Sequence, residues 1–437
     1  MQVQVISPGI YTYGAMVIGG LLTSAGADVT LRRGFPAEPS PVVFLSLYST
    51  QHLLDPAIRE FIAHARSAGK TCYVGGPVSA APEMVLGELA PDAVVIGEGE
   101  PVVIPLLSRG SPDGIPGTAY TRNGEVIINP SIPPQTLDRP LPLIPDDIGS
   151  QDIRGANVYI ETHRGCLGAC SFCQVPRFFG RTIRSRKIED ILAEVRAFRG
   201  KGARRISISG GTGSLYQYRD GKLDPGAFIS LLSGMAEIMG ARNVSAPDIR
   251  VDCISDEILD AIRKYTIGWV FFGIESGSER MLKAMKKGTT PEKNLEAVEL
   301  AHRCGAKVGG SFIVAYPGET EEDYQATLDF MDEAMLDDVF SSVAEPIPGT
   351  PLAKVALDYP KEENLLYREH AGDYRALKLS EAEARCFNLL LHGQNCKPVP
   401  RIVDDGTYSA FLEEARVQGR DVRRVMDLLE KYRSSIV

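Results

Sequence analysis

The chain has 437 residues, 44% hydrophobic and 24% charged, a balance that excludes extensive disorder and leaves room for two or three domains. Acidic residues outnumber basic ones by 56 to 47, giving a net charge of −9, so the composition carries no overall electrostatic footprint for nucleic acid or an anionic membrane. Eight cysteines in so long a chain exclude a disulfide scaffold and suit a reducing cytoplasm.

The longest uncharged run covers residues 3–27. Pro8, Gly9, Gly14, Gly19 and Gly20 interrupt it and no basic segment precedes it, so it reads as strand, turn and helix rather than a signal peptide or membrane span. Short apolar runs at 3–7, 42–49, 71–74 and 93–96 alternate with helical patterns at 15–25, 54–68 and 81–89, and 29–32 reads as an edge strand. The fold class predicted for residues 1–107 is therefore α/β, a doubly wound parallel sheet of Rossmann-like type. Ligands of such sheets bind at the carboxyl ends of the strands. Those ends carry Ser7, Pro8 and Gly9; Ser46, Leu47, Tyr48 and Ser49; Gly75, Gly76 and Pro77; and Gly97, Glu98, Gly99 and Glu100. Residues 108–156 are proline-rich, with Asn123-Gly124 between two short β patterns, and are predicted to be a linker carrying a small hairpin.

From 157 to 351 the strand–loop–helix pattern repeats six times, with strands predicted at 158–161, 205–209, 249–252, 269–274, 308–315 and 339–344. Six such units make a partial (β/α)6 barrel, with the site in the loops at the carboxyl ends of its strands. The first strand leads into Cys166, Cys170 and Cys173, a C-x3-C-x2-C spacing with Phe172 before the last thiol and glycines at 165 and 168. Three thiolates so placed can hold three irons of a 4Fe-4S cluster and leave the fourth open; a zinc site with His163 as fourth ligand is the alternative. Between Arg177 and Lys187 a basic patch suggests either an acidic substrate or a solvated helix entry. The last domain, 352–437, reads as helices at 362–370, 380–392 and a charged pair from 408 to 433, forming a lid over the barrel mouth. Cys386 and Cys396 suit structural thiols better than a second cluster.

The Cys spacing resembles that of the radical S-adenosylmethionine (SAM) enzymes, and later strand ends add to the resemblance: Gly210, Gly211 and Thr212 after the second strand, Arg250 and Asp252 on the third, Glu275 after the fourth and Ile313 on the fifth. The resemblance implies SAM contacts from these residues and from Phe172, with Cys166, Cys170 and Cys173 as cluster ligands. Residues 74–77 (VGGP) and 96–101 (IGEGEP) are similar to the cobalamin domain upstream of many such enzymes, lacking the loop that supplies a histidine to cobalt. Together these imply a cobalamin-dependent radical SAM methyltransferase with three cofactors: a 4Fe-4S cluster, SAM and cobalamin. A deoxyadenosyl radical would abstract hydrogen from an sp3 carbon that then receives a methyl group. The whole chain is most similar to the archaeal enzymes that methylate the α-carbon of a glutamine in methyl-coenzyme M reductase. That similarity implies a protein substrate, the reductase alpha subunit, and an electron donor such as ferredoxin or flavodoxin. Methylthiolation of tRNA, methylation of a small molecule and a non-catalytic corrinoid or redox sensor are the other readings.

Overall fold

The computed structural model describes residues 1–209, 211–246 and 248–436. The amino-terminal unit runs β1 (Gln2–Ile6), α1 (Tyr13–Ser24), β2 (Asp28–Arg32), β3 (Val42–Ser46), α2 (Pro56–Ser67), β4 (Thr71–Gly75), α3 (Pro82–Leu89), β5 (Ala93–Val95) and α4 (Glu100–Arg109). Its strands are parallel in the order β2-β1-β3-β4-β5, with β2 at the edge. Val3, Val5, Val43, Val74 and Val94 are wholly buried, as strands covered on both faces require.

The predicted hairpin is present as β6 (Thr118–Arg122) and β7 (Glu125–Asn129) but does not serve as a free linker: β6 pairs antiparallel with β5, making a seven-stranded sheet. Burial explains the difference. Thr118 and Ala119 lose all exposure against the sheet, and the hairpin covers the otherwise open β5 edge.

The barrel begins with β8 (Val158–Glu161). It continues through a two-residue pair, β9 (His163–Arg164) and β10 (Arg184–Ser185), which brackets α5 (Val175–Phe178), then α6 (Ile188–Gly200), β11 (Ile206–Ser209) and α7 (Pro225–Met239). Next come β12 (Val244–Ser245), β13 (Asp248–Ile249), α8 (Asp256–Tyr265), β14 (Trp269–Glu275), α9 (Glu279–Ala284), α10 (Pro291–Arg303), β15 (Lys307–Val314), α11 (Glu321–Ala334) and β16 (Asp338–Val343). The barrel strands are parallel and form two arcs, β12-β11-β8 and β13-β14-β15-β16. The third barrel strand thus ends at Ile249 rather than Asp252. From Arg250 the chain turns, with Cys253 N donating to Arg250 O at 2.9 Å.

The tail comprises α12 (Pro351–Asp358), α13 (Glu381–Asn395), α14 (Asp405–Lys431) and a final turn, α15 (Arg433–Ile436). Two expectations fail here. Residues 362–370 are turns, because their backbone is spent on the segment entering α13: Ala382 N donates to Leu365 O, Glu381 N to Arg368 O and His370 N to Leu379 O. The charged pair of helices is one 27-residue helix. Its Gly419 does not break it; a Cβ there would collide with Glu383, so the glycine lets α14 cross α13 closely. Among the described residues no helix is long and apolar enough to cross a membrane.

The sheet and the barrel meet through buried charge. Arg164 is ion-paired with Glu98, Glu100 and Glu161, Arg139 with Glu161 at 2.7 Å and Glu100 at 3.5 Å, and Arg184 with Glu98 at 2.5 Å. Beside them the Tyr13 hydroxyl donates to Glu194 and accepts from Arg139 and Arg186. Breaking such a pair strands a buried charge. Arg139→Met should therefore destabilise the protein by about 3–5 kcal/mol in denaturant unfolding. Burial opposes ionisation of Glu161, but Arg164 and Arg139 outweigh it and hold its carboxyl down at about 2. Its stabilisation is complete above the ordinary value of 4.5 and is lost as pH falls from there through about 2; an acid titration of unfolding free energy should show that loss, and Glu161→Gln should flatten it.

Candidate active site

The thiols of Cys166 and Cys170 are nearly buried and that of Cys173 partly so. Burial, with the other two thiols beside it, pushes the Cys173 thiol up. A Cβ added at Gly168 would lie 3.5 Å from both the Cys166 and Cys170 sulfurs and 2.8 Å from Arg250 Nη1, so the loop keeps open the space between the thiols. That cradle and its soft donors fit an iron–sulfur cluster. His163, the alternative fourth ligand, is buried on β9 with Nδ1 2.9 Å from Thr162 Oγ1.

The Cys loop is fastened on every side. Ser171 N and Oγ both donate to Met285 O, its hydroxyl meets Tyr316 Oη at 2.8 Å, and Leu352 N donates to Ser171 O at 2.9 Å. Loops following β14, β15 and β16 thus hold the loop that follows β8. The basic patch, expected on a substrate face or in solvent, is divided: Arg177, Arg181 and Lys187 stay exposed while Arg184 and Arg186 are drawn inward. Arg177 donates to the Cys170 and Cys173 carbonyls, Arg181 to Leu167 O, and Arg184 to Glu98. Gln174 Nε2 donates to Pro77 O at 2.8 Å, tying the loop to the amino-terminal sheet.

Of the residues expected at SAM, Phe172, Glu275 and Ile313 line one cavity of about 550 Å³ at the barrel mouth. Glu275 sits at a β-bulge with φ +67° and pairs with Lys287 Nζ at 2.7 Å, both side chains buried. The sequence reading missed Lys287, because Lys286-Lys287-Gly288 looks like an exposed helix end. Arg250 and Asp252 pair with each other at 2.6 Å, with Arg250 Nη1 4.0 Å from Cys170 Sγ. Gly211 lies beside Val175 and Cys166, and Thr212 is buried; neither is on the cavity wall. Gly210 lies outside the described residues.

A second, largely apolar cleft of about 290 Å³ lies between the sheet and the Cys loop. Ser46, Tyr48, Gly75, Gly76, Pro77, Gly97, Glu98, Gly99 and Glu100 line it from the sheet, and Arg164, Phe178 and Phe179 from the barrel. Glu98 and Glu100 face it with carboxylates already committed to arginines, so their part is to position the cleft's walls. Five expected residues are elsewhere. Ser7 is buried and bonded to Thr12 Oγ1. Pro8 and Gly9 follow β1 and run beside the residue after the edge strand β2, where Gly9 N donates to Arg33 O. Leu47 is core, and Ser49 caps the following turn and faces the barrel-mouth cavity. The cleft's lining contains no histidine. His52 packs edge-on against Tyr48 at 4.6 Å.

A third cavity, of about 260 Å³, joins the two: it shares Tyr48 and Pro77 with the cleft, and Ser49, Glu345 and Ile347 with the barrel mouth. In the tail, Cys386 is wholly buried against Ser341 O, whereas Cys396 gathers with His392 and Asp332.

A half-barrel of parallel strands with three thiols after its first strand defines a class, and residues 160–331 match the model of the Radical SAM superfamily. A protein of Methanocaldococcus jannaschii that carries a provisional methylthiotransferase name is 53% identical over all of this chain and 98% of its own length. The chain belongs to the radical SAM superfamily. Two solved structures share its fold. The radical SAM methyltransferase TsrM from Kitasatospora setae, solved with cobalamin and a [4Fe-4S] cluster, superposes with TM-score 0.65 at 17% identity over 80% of this chain and 73% of its own. The cobalamin-dependent SAM radical enzyme OxsB gives 0.61 at 19% identity over 97% of this chain and 56% of its own.

Gly168→Ala should lower the iron content of the reconstituted protein without unfolding it, read by metal analysis and circular dichroism. Lys287→Met leaves a buried carboxylate without its cation and should weaken SAM binding about tenfold, a loss of about 1.4 kcal/mol in calorimetry.

Proposed function

We propose that the protein is a cobalamin-dependent radical SAM methyltransferase that places a methyl group on an unactivated sp3 carbon, the α-carbon of a glutamine in methyl-coenzyme M reductase. The observation that carries this reading is the chain of three contiguous cavities around one Cys loop. A carbon held in the middle cavity can be reached from both sides. Cys166, Cys170 and Cys173 would hold the cluster and the barrel mouth SAM. Glycines 75, 76, 97 and 99 would let a flat corrin lie against the backbone of the cleft. When bound, these groups supply a hydrogen-abstracting radical and a transferable methyl.

The chain's own residues orient and exclude. Glu275, held by Lys287, is placed to accept hydrogen bonds from ribose hydroxyls. Arg250, partly neutralised by Asp252, offers its free guanidinium edge to a carboxylate beside the cluster loop. The cleft lining offers no histidine to a bound corrinoid. The helix α14 closes the barrel mouth against water. Gln418 donates to Ser341 O and accepts from Val343 N, and Gln51 donates to the Asp421 carbonyl.

The glutamine substrate is what the resemblance read from the sequence implies, and the substrate segment would enter extended. An electron would come from a ferredoxin or flavodoxin. Methylthiolation is the second reading, favoured by the name of the M. jannaschii relative. It needs a sulfur donor, and the one cysteine of the amino-terminal sheet, Cys72, is buried in β4.

The test is anaerobic incubation of cluster-reconstituted, cobalamin-loaded protein with methyl-deuterated SAM and a glutamine-containing reductase peptide. Mass spectrometry should show a deuterated methyl on the glutamine α-carbon, with deoxyadenosine and S-adenosylhomocysteine as co-products. Deoxyadenosine without methylated peptide would reject the substrate, and a mass gain that includes sulfur would favour methylthiolation. Cys166→Ala should abolish deoxyadenosine and retain cobalamin.

A further inference from the structure

Glu345 stands where the middle cavity opens into the barrel mouth, on the loop that leaves β16. Its carboxylate makes no hydrogen bond or ion pair among the described residues, in a protein whose other part-buried carboxylates around the cleft are matched to arginines. The charged group facing it is also acidic: Asp421, on α14, lines the same cavity and has Arg424 at 3.9 Å on its far side. Burial, then Asp421, pushes the Glu345 carboxyl above the usual range, as expected of an acceptor without a cation. Across the cavity, Gln51 spends its amide N–H on Asp421 O, while its buried Oε1 has no hydrogen-bond partner. The amide of Gln418, on the same wall, is consumed by the β16 backbone. Glu345 is therefore an acceptor without a donor where two cavities meet, and a buried polar group left unpaired is costly.

We propose that Glu345 is the substrate-recognition residue, accepting from the middle cavity the N–H donors of a carboxamide and so selecting glutamine over glutamate at the methylated position. This rests on the reading of a glutamine-containing peptide as substrate. Selection comes from repulsion as much as attraction, because a substrate carboxylate would meet the Glu345 carboxylate, which has no ion pair among the described residues. Glu345 sits on a loop fixed at both ends, between β16 and the Thr350 cap of α12. It can therefore set the position of the carboxamide, and with it the α-carbon, between the two cofactor spaces.

The test uses the full chain with cluster, cobalamin and SAM. Three fluorescent reductase peptides, identical but for Gln, Glu or Lys at the central position, are titrated by anisotropy. Wild type should bind the Gln peptide about tenfold more tightly than the Glu peptide, the effect of one charge-assisted hydrogen bond. In Glu345→Gln, whose new amide can donate, that preference should collapse. Glu345→Asp, which withdraws the carboxylate by one methylene, should weaken the Gln peptide while still rejecting the Glu peptide. SAM affinity, measured separately, should stay within about twofold in both variants. An unchanged peptide ranking in Glu345→Gln, a parallel loss of SAM affinity, tightest binding of the Lys peptide, or no binding of any peptide by wild type would each overturn the assignment. Methylated peptide with an unchanged ranking would reject Glu345 alone. A Glu345-dependent ranking without methylation would reject the reaction and keep the site.

Discussion

Arg164 lies two residues before the first cysteine of the Cys loop and contacts three carboxylates, two from the carboxyl end of the sheet and one from the first barrel strand. With Arg139 and Arg184 it forms a group in which three guanidinium charges meet Glu98, Glu100 and Glu161. The group is neutral as a whole, which is the condition for burying so much charge. An apolar interface between two α/β units would tolerate sliding, because dispersion and area burial have little direction. Guanidinium forks do not tolerate it, since each bond has a required line of approach. The network therefore sets the distance and angle between the cleft and the Cys loop. It does so from the residues that line the cleft, so any ligand there borders the same arginine that begins the loop.

At the barrel mouth the same logic recurs on a smaller scale. Glu275 could not be buried without Lys287, and Lys287 could not be buried without Glu275. The bulge in β14 and the left-handed Glu275 backbone bring that pair to the cavity wall. Ser171 and Tyr316 then lock the Cys loop to the loops following β14 and β15. A loop carrying three thiols would otherwise be free to move; here Ser171, through its N–H, carbonyl and hydroxyl, ties it to the segments that follow β14, β15 and β16.

Much of this was legible in the sequence because it is local. Alternating apolar runs and helical patterns report strand and helix directly, and the three cysteines lie within eight positions, so their convergence needs no knowledge of the fold. The long-range terms were not legible. Glu98 and Arg164 are 66 residues apart, and nothing in the run 96–101 distinguishes a carboxylate that touches a ligand from one that holds an arginine. Residues 362–370 have helical composition, yet their backbone is drawn to the segment entering α13, and tertiary hydrogen bonds to 379–382 win. Arg250 and Asp252 were found as polar residues near a strand end, but their mutual pairing depends on the turn that ends the strand early.

The tail shows how the two halves become one site. The helix α14 touches β16 through Gln418, the loop after β3 through Gln51, and α3 through the bonds of Lys431 and Tyr432 to Glu88. It crosses α13 at Gly419, where any side chain would force the helices apart. A helix fixed at so many points is a wall more than a hinged lid. Glu345 lines both the middle cavity and the barrel mouth, and Asp421 the barrel mouth, so a segment that entered from the mouth would pass both acidic groups. On the proposed reading, a segment rich in N–H donors would gain from that path and an anionic one would not, so recognition would begin before the reacting carbon arrived between the two cofactor spaces.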